Sequence, residues 1–263
     1  MALTLDHLVI LVQDLEAAIA DYGALGFTVQ RGGTHADGVT HNALVGFADG
    51  SYLELIAFLQ PQARHRWAAH AARGHRGFID FALLPSSVAE VVAGARARGL
   101  AYEGPLDGGR VRPDGERLAW QIGSPPTPDL PFLCGDITPR ALRVAEGAVR
   151  VHANGVTGVA AVTVAIADLD ASLARYRALL GSPGAVLPLP GLGLRQARLA
   201  LGTTDLVLLA PGPLADAPAA RALQAALGGR EAGVIGIALR GPSSASLPSN
   251  LTHGAAIDIV SAA

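Results

Sequence analysis

The segment "QDLEAAIADYGALG" (residues 13–26) returns as "ADLDASLARYRALLG" (residues 167–181), and each follows a short apolar run, "LDHLVILV" and "GVAAVTVAI". Between them, "FIDFALL" leads into "SSVAEVVAGARARG" in the same order. Recurrence of one strand-plus-helix unit constrains the fold more than any composition, because a repeated unit cannot cover its own apolar sheet face and must pair with a neighbour. Apolar residues at Leu15, Ala18, Ile19 and Tyr22 have helical spacing, Asp14 is suited to an N-cap, and Gly26 to a stop.

Each helix-like stretch is followed by strand signals. In the first unit these are "FTVQRG", "THNALVGF" and, after the turn "ADG", "SYLELIAF". In the second they are "LAYEGP", "RLAWQIG" and "LPFLCGD"; in the third, "DLVLLAP" closes the unit; the fourth, "GVIGIALRG" to "HGAAIDIVS", lacks a helix. The expectation is an α+β fold of paired βαβββ modules forming curved, cup-shaped mixed sheets, about four modules with the last truncated. Residues 1–137 make the first pair, 138–156 a linker, and 157–263 the second pair.

The repeat supplies a register. Leu15 and Val88 open two helices 73 residues apart (88 − 15), so Asp80 stands where His7 does (80 − 7). Leu169 lies 154 after Leu15 (169 − 15), which places Ala161 at the His7 position. On the fourth strands Cys134, Val207 and Asp258 align with Glu54. If first and fourth strands are neighbours, His7 and Glu54 converge, and an imidazole with a carboxylate suits a divalent transition metal. Asp80 and His41 are the candidates for a further ligand. His41 shares the face of Glu54 if Phe47 pairs Tyr52, and not if Phe47 pairs Ser51. Cys134 reads as a small buried hydrophobe.

Half of the residues are hydrophobic, only 16% are charged and the net charge is −2, with no long Lys/Arg run, which argues against nucleic-acid binding. No apolar run spans a bilayer and no signal peptide is evident, so a cytoplasmic protein with a small-molecule substrate or ligand is expected. One cysteine excludes an internal disulfide framework.

These segments resemble the vicinal oxygen chelate superfamily, which includes glyoxalase I, extradiol dioxygenases, methylmalonyl-CoA epimerase and the bleomycin and fosfomycin resistance proteins. Within it, "DHLVILVQDLEAA", "GTHNALVGFADGSYLELIAF", "GGRVRPDGERLAWQIGSP", "LPFLCGD" and "VHANG" are most similar to the glyoxalase-like domain family. The resemblance implies a metal (Zn, Mn, Fe or Ni) held by His7, Glu54 and Asp80, with Glu54 catalytic and with isomerase, lyase or dioxygenase chemistry. The alternative it leaves open is a metal-free sequestering protein. Arg110 and Arg112 are candidates for a substrate-anion clamp or are solvated loop residues. His41 and Asn42 are candidates to orient a substrate oxygen, or tie strands together by hydrogen bonds; His152 and Asn154 are candidates for the pocket edge, or Asn154-Gly155 turns the linker into the third module. Trp120 offers stacking surface, and Trp67 is expected to cover the apolar rim. The stretch "RHRWAAHAARGHRG" reads as a solvated, partly helical connection. A homodimer through the second pair is a further expectation.

Overall fold

The computed structural model describes residues 3–181, 185–189, 192–213 and 216–261. The first half runs β1 (Thr4–Leu11), α1 (Leu15–Ala24), β2 (Gln30–His35), β3 (Thr40–Gly46), β4 (Tyr52–Phe58), α2 (Ala68–Ala72), β5 (Gly77–Leu84), α3 (Val88–Ala97), β6 (Glu103–Val111), β7 (Arg117–Ser124) and β8 (Phe132–Asp136). A connection follows, with α4 (Arg140–Arg143) and a 3-10 turn (Gly147–Arg150). The second half holds β9 (Gly158–Ile166), α5 (Leu169–Leu180), β10 (Ala185–Leu189), β11 (Leu194–Leu201), β12 (Thr204–Pro211), α6 (Pro218–Leu227), β13 (Ala232–Gly241), β14 (Ala245–Ser246) and β15 (Ile257–Ser261). This is the mixed α+β architecture of repeated modules that the sequence implies. None of the described helices is long and apolar enough to cross a membrane.

Helices α1, α3 and α5 begin at Leu15, Val88 and Leu169, where the repeat arithmetic places them. Side chains explain the starts. Asp14 accepts from the backbone N–H of Glu16 and Ala17, Asp168 from Asp170 and Ala171, and Ser87 from Glu90. Each cap satisfies an otherwise orphaned donor and contributes about 1 kcal/mol.

The first half closes into a barrel in the order β1-β4-β3-β2-β6-β7-β8-β5, and the second half is a seven-stranded sheet, β10-β11-β12-β9-β13-β15-β14. Parallel pairing of β1 with β4 sets His7 against Tyr52 and Val9 against Glu54. Alternation then sorts the strands. Leu8, Ile10, Leu53 and Leu55 face outward into a core shared with α1, α3, α5 and the second sheet. Val9, Leu11 and Ile56 face the barrel interior with Trp67, Trp120 and Phe132. His7 and Glu54 belong to the interior set, because successive side chains on a strand point to opposite faces.

The second strand differs from the sequence reading. It spans Gln30–His35 instead of the segment "FTVQRG", and a bulge between Arg31 and Gly33 shifts its pairing with β3. Gly33 has φ 128°, and a Cβ there would lie 2.0 Å from the Val111 carbonyl, so only glycine lets β2 approach β6 and close the barrel.

In the second half β9 and β12 repeat the β1/β4 arrangement in parallel, with Ala161 paired to Asp205 and Val207 to Thr163. Leu206 and Leu208 join the main core, and the opposite face carries Leu209, which packs with Ala220, Leu223 and Leu227 of α6. Where the barrel keeps polar groups, this sheet offers Ala161 and Val207 and is partly covered by a helix. The halves are joined by buried hydrogen bonds as well as core: the Tyr176 hydroxyl donates to the Asp129 carbonyl at 2.6 Å, and the Tyr22 hydroxyl to that of Thr252 at 3.3 Å.

Candidate functional site

His7 and Glu54 meet inside the barrel. His7 Nε2 lies 3.4 Å from Glu54 Oε2, and both side chains are buried. A second imidazole arrives from the end of β2: His35 Nε2 lies 3.5 Å from Glu54 Oε1. The Asn42 amide donates to Glu54 Oε1 at 2.6 Å. Three strands, β1 to β3, thus each supply one group to the carboxylate carried by β4.

The far side of each imidazole is fixed. His7 Nδ1 donates to Asp6 Oδ2 at 2.7 Å, an assignment that follows because an ionised carboxylate only accepts. His35 Nδ1 shares a hydrogen bond of 2.8 Å with the Thr40 hydroxyl. Asp6 is itself fully buried and held by two cations from α4. Arg143 Nη1 reaches its Oδ2 at 2.8 Å, and Arg140 Nη1 reaches its Oδ1 at 2.7 Å. Arg143 also donates to the Tyr52 hydroxyl at 2.7 Å, and Tyr52 stacks on the His7 ring with centroids 4.6 Å apart. The 138–156 connection is therefore more than a tether: positions i and i+3 of one helical turn place both guanidinium groups at Asp6.

Electrostatics follow from these partners. Burial alone would raise the Glu54 pKa, but the imidazoles of His35 and His7 hold it well below the usual carboxylate range. Burial likewise opposes charge on His7, but Asp6 and Glu54 outweigh it and raise its pKa. Asp6 resists burial through Arg143, His7 and Arg140 and is also held well below its ordinary value. Burial pushes the Cys134 thiol up, so it is not a thiolate at neutral pH although it lines the cavity.

A cavity of about 240 Å³ opens over this cluster. His7, His35, Asn42, Glu54, Arg110 and Trp120 are among its walls. Arg110 Nη1 donates to Asn42 Oδ1 at 3.0 Å and its Nη2 to the Arg143 carbonyl at 2.7 Å, so it steadies the amide that holds Glu54. Trp67 caps the apolar side, from the connection that the sequence marks as partly helical.

Other sequence candidates lie elsewhere. Asp80 does not reach His7 or Glu54. It pairs with Val9, two residues along from His7, and its carboxylate accepts from Trp67 Nε1 at 2.9 Å and Arg66 Nη2 at 2.7 Å. His41 pairs with Ala57, and Phe47 bonds to Ser51, so His41 takes the face opposite Glu54 while its neighbour Asn42 takes the site. Arg112 pairs with Asp114 at 2.8 Å outside the cavity wall. His152 bridges the Thr28 amide and the Gly46 carbonyl at 3.0 Å each. Asn154 donates to the Leu25 carbonyl at 3.0 Å and turns the chain into the second half. His35, Asp6 and Arg143 were missed. The signal for Asp6 was its charge inside an apolar strand; His35 gave none, since its strand extends only through the bulge.

Among the described residues no three His, Cys, Asp or Glu side chains already stand as a coordination sphere. His7, His35 and Glu54 instead close on one another. Their chemistry nonetheless fits a divalent transition metal: two imidazole Nε2 atoms and one carboxylate, with both Nδ1 atoms occupied by oxygen partners that fix the rings.

A family model described as a glyoxalase-like domain matches residues 5–180. Comparison with curated proteins finds no match. Among solved structures, a hypothetical protein from Staphylococcus aureus is similar over 99% of this chain and 100% of its own, with TM-score 0.73 and 13% identity. A mutant of 4-hydroxymandelate synthase from Streptomyces coelicolor is similar over 95% of this chain and 78% of its own, with TM-score 0.63 and 14% identity. Methylmalonyl-CoA epimerase from Mycobacterium tuberculosis matches 41% of this chain and 89% of its own, with TM-score 0.32 and 21% identity. The first two likenesses are of fold. With well over half of its length matched by the family model, the chain belongs to the glyoxalase-like domain family.

Proposed function

We propose that the chain is a metal-dependent enzyme that acts on a small oxygenated substrate inside the barrel, by isomerase, lyase or dioxygenase chemistry. The observation supporting this is the approach of two imidazole Nε2 atoms to the Glu54 carboxylate, each with its other nitrogen tied. His7, His35 and Glu54 would hold the ion. When bound, Zn, Mn, Fe or Ni would supply a Lewis acid for oxygens of the substrate.

The chain's own residues do the rest. Asp6 keeps the His7 proton on Nδ1 and leaves Nε2 facing the cavity. Arg143 and Arg140 keep Asp6 ionised, and Asn42 orients Glu54. Glu54 is ionised at neutral pH and is the carboxylate placed to take a proton from substrate. Trp67, Trp120 and Phe132 keep bulk water from the apolar side. On this reading residues 1–137 carry the chemistry, residues 157–263 act as scaffold, and a homodimer would form through the latter.

Elemental analysis of untagged protein, before and after soaking with Mn, Fe, Ni and Zn, tests the proposal. One ion per chain, lost in Glu54→Gln, is expected; a metal content far below stoichiometric after every soak would overturn it. The hydrogen-bonded closure of the cluster favours one competing reading, a metal-free binding protein. That reading gains if a ligand raises Tm equally with and without EDTA and no turnover is found.

A further inference from the structure

Both tryptophans of the chain, Trp67 and Trp120, line the cavity over Glu54, but their indole nitrogens differ. Trp67 Nε1 donates to the Asp80 carboxylate at 2.9 Å. Trp120 Nε1 meets no acceptor among the described residues, although Trp120 is only 8% exposed. Among those residues the unpartnered polar side-chain atoms sealed inside protein are Arg110 Nε and Thr127 Oγ1, and the Trp120 nitrogen is not with them. It therefore touches open space, and for a side chain on the interior face of the barrel that space is the cavity.

Packing fixes where this donor stands. Trp120 on β7 pairs directly with Gly108 on β6. A Cβ at Gly108 would lie 2.9 Å from Trp120 Cδ1 and closer still to Nε1, so any side chain there would push the indole off β6. The ring also meets His35 edge-on with centroids 6.1 Å apart, and His35 Nε2 lies 3.5 Å from Glu54. An indole N–H only donates, and an ionised carboxylate only accepts. The cavity thus sets one fixed donor beside one fixed acceptor, and a donor held by packing instead of by a protein acceptor is free to orient a ligand.

We infer that Trp120 binds substrate as a hydrogen-bond donor: its N–H holds a carbonyl or carboxylate oxygen that is distinct from the atoms facing Glu54. The substrate therefore carries such an oxygen away from its reacting atoms, and Gly108 is the positioning residue that keeps the donor in place. This rests on the cavity being the substrate site, as proposed above, and does not require the ion.

Proton–nitrogen NMR tests it, because two tryptophans give two indole signals. The Trp120 signal is assigned by its Overhauser contact with the Gly108 Hα protons. In EDTA-treated protein its N–H is expected to exchange with solvent faster than that of Trp67, which Asp80 holds. Acetate and acetamide, which share a carbonyl-type oxygen and differ in charge, are the probes. A saturable shift of the Trp120 indole proton, with that of Trp67 unmoved, is expected from at least one of them; the stronger of the two tells a carboxylate partner from a neutral carbonyl. Trp120→Phe removes the donor and Gly108→Ala displaces it, and each, checked for folding by circular dichroism, should bind that probe about tenfold more weakly. Exchange at Trp120 as slow as at Trp67, no shift with either probe, or unchanged affinity in both variants overturns the inference. Should a variant fail to fold, exchange and titration of the parent protein decide. Zn uptake without a Trp120 shift overturns the inference and keeps the metal reading; a Trp120 shift without Zn uptake does the reverse.

Discussion

Asp6 and His7 are adjacent on one strand, yet their side chains share a hydrogen bond of 2.7 Å inside the same barrel. Neighbours on a regular strand point to opposite faces. Here the β1–β5 register shifts between Leu5 and His7, so Asp6 is the extra residue of a β-bulge and turns inward with His7. The same repeat position is bulged in every module: Ile79 in β5 (79 − 6 = 73), Ala160 in β9 (160 − 6 = 154) and Ile235 in β13. A shared backbone irregularity has become an aspartate–histidine pair in one module only.

Replacing Asp6 with Asn removes one of the two carboxylates paired with buried Arg143 and leaves Asp136 as the other. Breaking a buried ion pair from one side is expected to cost about 3 kcal/mol, and the His7 ring loses its charged anchor. Urea denaturation measures the first effect; an unchanged midpoint and slope would show that the Asp6–Arg143 network does not stabilise the fold.

Stability of metal-free protein should depend on pH from both sides. Asp6 and Glu54 have folded pKa values below their ordinary 3.8 and 4.5, so their contribution is present above those values and is lost as pH falls through the folded ones. The His7 value is raised above 6.5, so its contribution is complete below 6.5 and fades as pH rises through the folded value. Thermal denaturation in EDTA is expected to show the advantage of the parent over His7→Gln in full below pH 6.5 and fading above it. His7→Gln should flatten the alkaline side, and a mutant profile identical to that of the parent would contradict the assignment.

The third donor can be identified by contrast. His35→Ala is expected to abolish metal retention, whereas Asp80→Asn should leave it intact, because Asp80 is committed to Arg66 and Trp67. Metal content of the two purified variants, side by side, decides between the residues. Retention by the first and loss by the second would restore Asp80 as a ligand.

Gly33→Ala forces a side chain into a φ of 128° and against the Val111 carbonyl. Left-handed strain of this kind costs about 1–3 kcal/mol, and the steric contact adds to it. Chemical denaturation should register the loss, and His35, two residues on, should lose its place at Glu54. A variant as stable as the parent would mean that β2 closes on β6 less tightly than the structure has it.

Local signals determined a large part of this protein. Alternation put His7, Val9 and Glu54 on one side of their strands. Helical spacing after Asp14, Ser87 and Asp168 marked three helix starts, and the offset between repeats showed Ala161 and Val207 to be incapable of binding a metal. These rest on periods of two and 3.6 residues and on capping chemistry, all of which operate within a few positions of the chain. Tertiary structure alone decided which polar groups join the pair. The β3–β4 turn register turned Asn42 inward and His41 outward, since a slip of one residue exchanges the faces of a strand. The antiparallel β1–β5 register carried Asp80 past the cluster, the bulges at Gly32 and Asp6 brought in His35 and folded Asp6 beside His7, and a helical turn beyond the barrel delivered Arg143 to its floor. Bulges, registers and returns of this kind are set by closure of the whole barrel, where each strand must match two neighbours at once, and no short window of sequence contains that condition.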